Sequence, residues 1–172
     1  MELKETILKR RSIRDYLPEP VPEEALRHVL EAGLIAPTSR NLRPCRIIVV
    51  RNRTVLDELA KAKNGAAALK CAPCALIVTG DSERADTWME DCSVAMTQMM
   101  LAAVDEGLGS CWLQICMRRT EDGRSAEEIV RSALKLEEKY RIAGILTLGI
   151  PKAAKEPYTT ADADFNKVEY ID

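Results

Sequence analysis

A chain of 172 residues, 47% apolar and 30% charged, is long enough to bury a core and too apolar for a disordered tail. With 25 Lys and Arg against 27 Asp and Glu, its net charge of -2 lacks the basic excess of a nucleic-acid binder. No run approaches the ~18 consecutive apolar residues of a membrane span, and charges interrupt the opening Met1-Glu2-Leu3-Lys4-Glu5, so a cytoplasmic chain without a secretory signal is expected.

Residues 3–11 read as a helix with Leu3, Ile7 and Leu8 near one face. A loop carrying Pro18, Pro20 and Pro22 follows. Pro22 then opens a second helix, with Glu23 and Glu24 at its positive end and Ala25, Leu26, Val29, Leu30 and Gly33 along it. Pro37 limits that helix. The β-branched run at 46–51 predicts a buried strand, residues 54–63 a third helix, 66–69 a short Ala-rich one, and 74–80 a second strand. Residues 88–106 form a long helix, apolar on most sides through Met96, Met99, Met100, Leu101 and Val104, and closed by Gly107. A third strand is expected at 110–116. Ser125-Ala126-Glu127-Glu128 fits a capping box for a helix to 135, and residues 141–150 give a fourth strand that Pro151 stops. The last twenty residues read as irregular or extended. Strands separated by helices predict, from pattern alone, an α/β fold with a mostly parallel sheet.

Three clusters could carry chemistry. Arg10-Arg11-Ser12-Ile13-Arg14 sets three guanidiniums and a hydroxyl within five residues, which suits a phosphate; it also suits a solvated helix end. The loop Ala36-Pro37-Thr38-Ser39-Arg40-Asn41-Leu42-Arg43-Pro44 is stiffened by prolines and offers short polar side chains. It can dock the polar edge of a planar heterocycle or be an ordinary turn. Gly107-Leu108-Gly109-Ser110-Cys111-Trp112 permits close backbone approach to a ligand, or is a helix cap and tight turn. Neither a dinucleotide fingerprint nor a Walker-type phosphate loop is present.

The six cysteines read as reduced thiols. Cys71 and Cys74 have redox-motif spacing, but no second such pair completes a zinc site. His28, the one histidine, lies in the second helix and reads as structural, and the methionines read as core.

Taken together and in this order, the clusters resemble the nitroreductase family of flavoproteins. I-L-K-R-R-S-I-R-D-Y at 7–16 is similar to that family's R-x-S-x-R/K opening, and A-P-T-S-R-N-L-R-P at 36–44 to its A-P-S-x-x-N-x-Q-P loop. The stretch 88–112 is similar to its long helix and G-L-G-S/T-C-W turn, and L-T-L-G-I-P at 146–151 to its late strand. The resemblance spans nearly the whole chain.

The resemblance implies a three-layer α+β fold around a mixed, largely antiparallel sheet, replacing the parallel one. Residues 1–172 would form one domain, with an extended C-terminal arm from about 152. It implies a homodimer with FMN at the subunit interface. Arg10, Ser12 and Arg14 would hold the flavin phosphate and ribityl chain, with Arg11 adding main-chain contact at most. Lys152 or Lys155 would stand in for the family's C-terminal basic pair, with Lys155 the candidate. Pro37, Thr38, Ser39 and Asn41 would touch the flavin from the partner subunit, and Gly109, Ser110 and Cys111 would present backbone groups near its reactive edge. NAD(P)H would reduce the flavin and a nitroaromatic, quinone or related acceptor would reoxidise it, in ping-pong fashion, with no side chain needed as acid or base. Arg43 stands where the family usually has Gln, and Cys45 where it has an aromatic residue. The short segment 81–86 lacks the lid of larger members and marks a compact type. Two other functions fit parts of the pattern: a flavin store or sensor without turnover, and a thiol-redox protein built on Cys71 and Cys74.

Overall fold

The computed structural model describes residues 2–171. The domain span 1–172 read from the sequence takes in Met1 and Asp172, which lie outside the described residues. In chain order the elements are α1 (Leu3–Lys9), α2 (Glu23–Leu34), β1 (Cys45–Val50), α3 (Arg53–Leu59), α4 (Ala68–Cys71) and β2 (Cys74–Asp81), then α5 (Trp88–Asp105), β3 (Gly109–Gln114), α6 (Ala126–Leu134) and β4 (Tyr140–Gly149). The strands form one four-stranded sheet in the order β1-β2-β4-β3, every neighbouring pair antiparallel. The parallel sheet expected from alternation alone is therefore corrected. Helices between strands cover either kind of sheet, and spacing carries no strand direction. The one parallel pairing among the described residues is the bridge between Ser12 and Ser110, which makes the sheet mixed at that edge.

Period-two alternation sorts the core into two layers. From β2, Ala75 and Ile77 face one side with Leu56 and Leu59 of α3, Leu69 of α4 and Val130 of α6. Cys74, Leu76 and Val78 face the other with Leu26 and Val29 of α2 and Met96 and Met99 of α5. The sheet is thus a middle layer buried on both faces, and β2 is buried along nearly its whole length.

Two boundaries differ from the sequence expectation in ways that matter. α1 ends at Lys9, and Arg10 leaves it with φ −61° and ψ 111°. The arginines beyond it lie on extended chain, because Ile13 N–H donates to the Ser110 carbonyl at 2.9 Å and draws the strand edge in. β3 stops at Gln114, short of Cys116. Residues 152–171 are exposed and carry only short 3-10 turns at Thr160–Asp162 and Phe165–Lys167. No helix among the described residues is long and apolar enough to cross a membrane.

Candidate active site

Two polar clusters stand at opposite corners of the sheet. The first is built on residues 10–14. Gly109 lies under Ile13: a Cβ there would come 2.8 Å from Ile13 Cβ, so a side chain would push the segment off the sheet. Tyr16, buried, donates its hydroxyl to the Ile13 carbonyl at 2.6 Å and lies 2.7 Å from the Thr147 hydroxyl, which reaches the Cys111 carbonyl at 3.3 Å. Burial holds the Tyr16 phenol above its ordinary range. Tyr16→Phe leaves the Ile13 carbonyl without this donor, and a urea unfolding curve is expected to lose about 1–3 kcal/mol.

Positive charge gathers on this frame. Lys155 Nζ donates to the Ser12 carbonyl at 2.8 Å. Burial pushes the Cys111 thiol up, while the charges of Arg14, Lys155, Lys63 and Arg10 pull against that rise. Among the described residues none of these four cations has a carboxylate partner. Desolvated or clustered cations without counter-charge form an anion site. Arg11 points elsewhere: its guanidinium donates to the Glu156 carbonyl and sits 4.5 Å from the centre of the Tyr158 ring, pinning the arm. Lys152 is drawn to the Asp15 carboxylate at 3.5 Å, which leaves Lys155 as the cation beside Ser12. A cleft of about 330 Å³ opens behind the segment, lined by Lys9, Arg11, Ile13, Leu108 and Lys155 among others.

The second cluster is the loop before β1. Three non-glycine residues sit in left-handed backbone there, Arg40 at φ 52°, Asn41 at 53° and Arg43 at 49°. Each such residue costs of order 1–3 kcal/mol, and such strain gathers at functional sites. The loop is held from within by Thr38, whose hydroxyl accepts from Arg43 N–H at 3.0 Å, and by Asn41, whose carbonyl accepts from Arg43 Nε at 2.9 Å. It is held from outside by buried Asp91 of α5, which accepts from Ser39 N–H at 2.8 Å, and by Arg40 on Asp86. Pro37 and Asn41 are exposed.

These clusters cannot meet within one chain. Residues 10–14 lie at the start of β3, and the loop enters β1 at the opposite edge and opposite end. Strand spacing and rise put them roughly 30 Å apart, with helices over both faces between them.

Of the sequence candidates, the structure brings Arg10, Ser12, Arg14 and Lys155 together over Gly109, Ser110 and Cys111. It groups Pro37, Thr38, Ser39 and Asn41 separately. Cys71 donates to the Arg14 carbonyl at 3.2 Å and packs on one face of the sheet, while Cys74 is buried in the other. Burial lifts the Cys74 thiol to about 11. Their sulfurs do not face each other, which removes the basis for a dithiol centre. His28 lies 2.7 Å from Glu106 on the surface, a structural tie from α2 to the end of α5. The sequence reading missed Lys63, which the fold alone returns to the anion cluster. It also missed Asp91, a carboxylate on an apolar helix, which was the available signal.

An α+β sandwich whose outer strand seats a cation cluster defines the class. The chain belongs to the nitroreductase family, whose model matches residues 7–69 and 60–150. It is 34% identical over 164 residues to an Archaeoglobus fulgidus protein provisionally named NADH dehydrogenase/NAD(P)H nitroreductase, covering 93% of this chain and 91% of that one. Among solved structures it is similar to an FMN-dependent nitroreductase of Clostridium difficile R20291, with TM-score 0.94 and 35% identity over 98% of this chain and 99% of the other. It is also similar to a nitroreductase with bound FMN from Bacteroides fragilis, with TM-score 0.78 and 26% identity over the full length of both chains.

Proposed function

We propose that the protein is an FMN-dependent oxidoreductase whose flavin sites are shared between two copies of the chain. The observation that carries this reading is the set of four cations without carboxylate partners on the edge of β3. Their chemistry fits a phosphate dianion: two forked guanidiniums and two ammonium groups, each able to make charge-assisted bonds. Arg10, Ser12, Arg14 and Lys155 hold the phosphate and ribityl chain, with Lys63 beside them. Arg11 holds the arm in place. Gly109, Ser110 and Cys111 form the floor on which that segment rests and bring backbone near the flavin.

The loop with Pro37, Thr38, Ser39 and Asn41 reaches the ring from the other copy, since its own chain holds it at the far corner. Its internal hydrogen bonds fix the loop before binding, with Asn41 exposed on it. When bound, FMN supplies the hydride carrier between NAD(P)H and a nitroaromatic, quinone or related acceptor, in alternating half-reactions. The side chains position and neutralise charge, and none is assigned as acid or base.

Exposed apolar surface supports the second copy. Phe165, Tyr170 and Ile171 of the arm are 72%, 81% and 95% exposed, and Leu3, Ile7 and Val94 are exposed on α1 and α5. A monomer leaves such a surface wet, and a homodimer covers it. The whole chain then acts as one domain with an arm from about 152. A cytoplasmic setting fits six free cysteines.

The test is the cofactor extracted from freshly purified protein, followed by NADH and NADPH oxidation with a quinone or nitroaromatic present. FMN with acceptor-dependent oxidation is expected. FAD as the main species would overturn the cofactor assignment, and FMN without oxidation would make the protein a flavin store.

A further inference from the structure

We propose that Cys45 and Cys92 form a reversible disulfide when the protein meets a hydroperoxide, an oxidative modification site beside the loop of residues 36–44. The two sulfurs lie 3.6 Å apart, in hydrogen-bond contact. Bonding distance is about 2.05 Å, so they need close by only about 1.5 Å.

The approach is built by the sheet. Cys45 opens β1 opposite Gly80 of β2. Gly80 has no side chain, and a Cβ there would come 3.1 Å from Cys92 Sγ and 2.9 Å from Trp88 Cβ. That gap lets Cys92, on α5, lie over β2 and reach the β1 thiol. The other four cysteines have different surroundings: Cys71 is bonded to the Arg14 and Ala68 carbonyls, and Cys74, Cys111 and Cys116 are buried apart.

The pair is asymmetric. Cys45 is half-buried and Cys92 fully buried, so an oxidant meets Cys45 first. Contact with Cys92 holds the Cys45 thiol below its ordinary range, contact with Cys45 and burial push Cys92 above it, and the Asp91 charge works against either thiolate. A thiol that an oxidant can reach, with a buried resolving thiol in contact behind it, is the usual arrangement of an oxidisable pair.

The chemistry balances with hydrogen peroxide as oxidant. The Cys45 thiolate attacks one peroxide oxygen, the O–O bond breaks, and the departing hydroxide takes a proton to leave as water. The Cys92 sulfur then attacks the Cys45 sulfenic acid. The S–S bond forms, the S–O bond breaks, and the hydroxyl leaves with the Cys92 proton as a second water. Two thiols are oxidised to one disulfide and one peroxide is reduced to two waters.

The product ties the loop to α5 a second time. Asp91 already holds Ser39 N–H at the front of the loop. The next helix residue, Cys92, would hold its exit covalently. The chemistry stands apart from the flavin assignment.

The experiment treats FMN-loaded protein with hydrogen peroxide, alkylates free thiols under denaturing conditions, and maps the peptides by mass. The peptides bearing Cys45 and Cys92 are expected linked, with a loss of two hydrogens per chain, and dithiothreitol is expected to restore both thiols. Cys92→Ser should abolish the link and leave Cys45 oxidised alone, whereas Cys45→Ser should leave Cys92 a free thiol. Far-UV circular dichroism and the urea midpoint of the untreated variants report that both are folded. Free Cys45 and Cys92 after Cys71 has oxidised, or linkage of either to another cysteine, would overturn the proposal. Amide exchange over residues 36–44 is expected to slow in the linked form, and unchanged exchange there would overturn the tie to the loop.

Discussion

Glu127→Ala is expected to cost about 3 kcal/mol of folding stability, the low end of the range for breaking a buried ion pair. Glu127 is only 9% exposed. Its carboxylate accepts from Arg141 Nε at 2.7 Å and from the second Arg141 nitrogen at 3.0 Å, from Arg131 at 3.2 Å and from Ile142 N–H at 3.0 Å. Removing it strands a buried backbone donor and two guanidiniums, and Arg141 limits the loss by turning to water. Burial pushes the carboxyl up, but the Arg141 bonds, the Ile142 N–H and the nearby charges outweigh it and hold it below its ordinary range. A depressed carboxylate stabilises the fold above its unfolded pKa, about 4.3, and that contribution fades as pH falls through the folded value. The gap between wild type and Glu127→Gln in urea midpoints should therefore be full near neutrality and shrink in acid below about pH 4. A gap that does not change with pH would mean that Glu127 acts through packing alone.

Arg10→Ala and Arg14→Ala are each expected to weaken FMN by about one to two decades. Charge-assisted bonds contribute roughly 1.5–3 kcal/mol and about 1.4 kcal/mol is tenfold. Riboflavin lacks the phosphate and should lose much less. Lys63→Ala should shift FMN in the same direction. Arg11→Ala is the control, because its guanidinium serves the Glu156 carbonyl and the Tyr158 ring. Titration of both flavins into apoprotein reads all four variants. Equal losses for FMN and riboflavin would mean that the arginines act on folding or assembly.

The sequence made some of this legible and hid the rest. Strand runs such as residues 46–51 and the long apolar α5 are local patterns, and local patterns survive folding. Strand direction is not local, and the parallel expectation failed there. The end of α1 was placed two residues late because arginines are good helix formers. The Ile13 pairing to Ser110 overrides them, and no local signal marks it. The motif positions 10–14 and 36–44 were visible, and the resemblance implied that two copies share them, but no local signal places them at opposite corners of one chain. Nor could the loop's composition reveal the left-handed backbone of Arg40 and Arg43. The Cys71 and Cys74 spacing resembled a dithiol only until the turn from α4 into β2 sent Cys74 to the other face. Lys63 became meaningful only once the fold brought its charge to bear on Cys111 together with those of Arg14, Lys155 and Arg10.

Site sharing is most directly tested by mixed dimers. One chain carries Arg10→Ala and Arg14→Ala, the other Thr38→Ala and Asn41→Ala, and differently tagged copies are purified as the heterodimer. Each variant homodimer is expected to bind FMN poorly, because both of its sites are damaged. In the heterodimer one site combines the intact cations of one copy with the intact loop of the other, so tight FMN at half the wild-type content is expected. If cations and loop instead served one flavin within a single chain, every site in the heterodimer would be damaged. A heterodimer as empty as its parents would therefore contradict a site built from two copies.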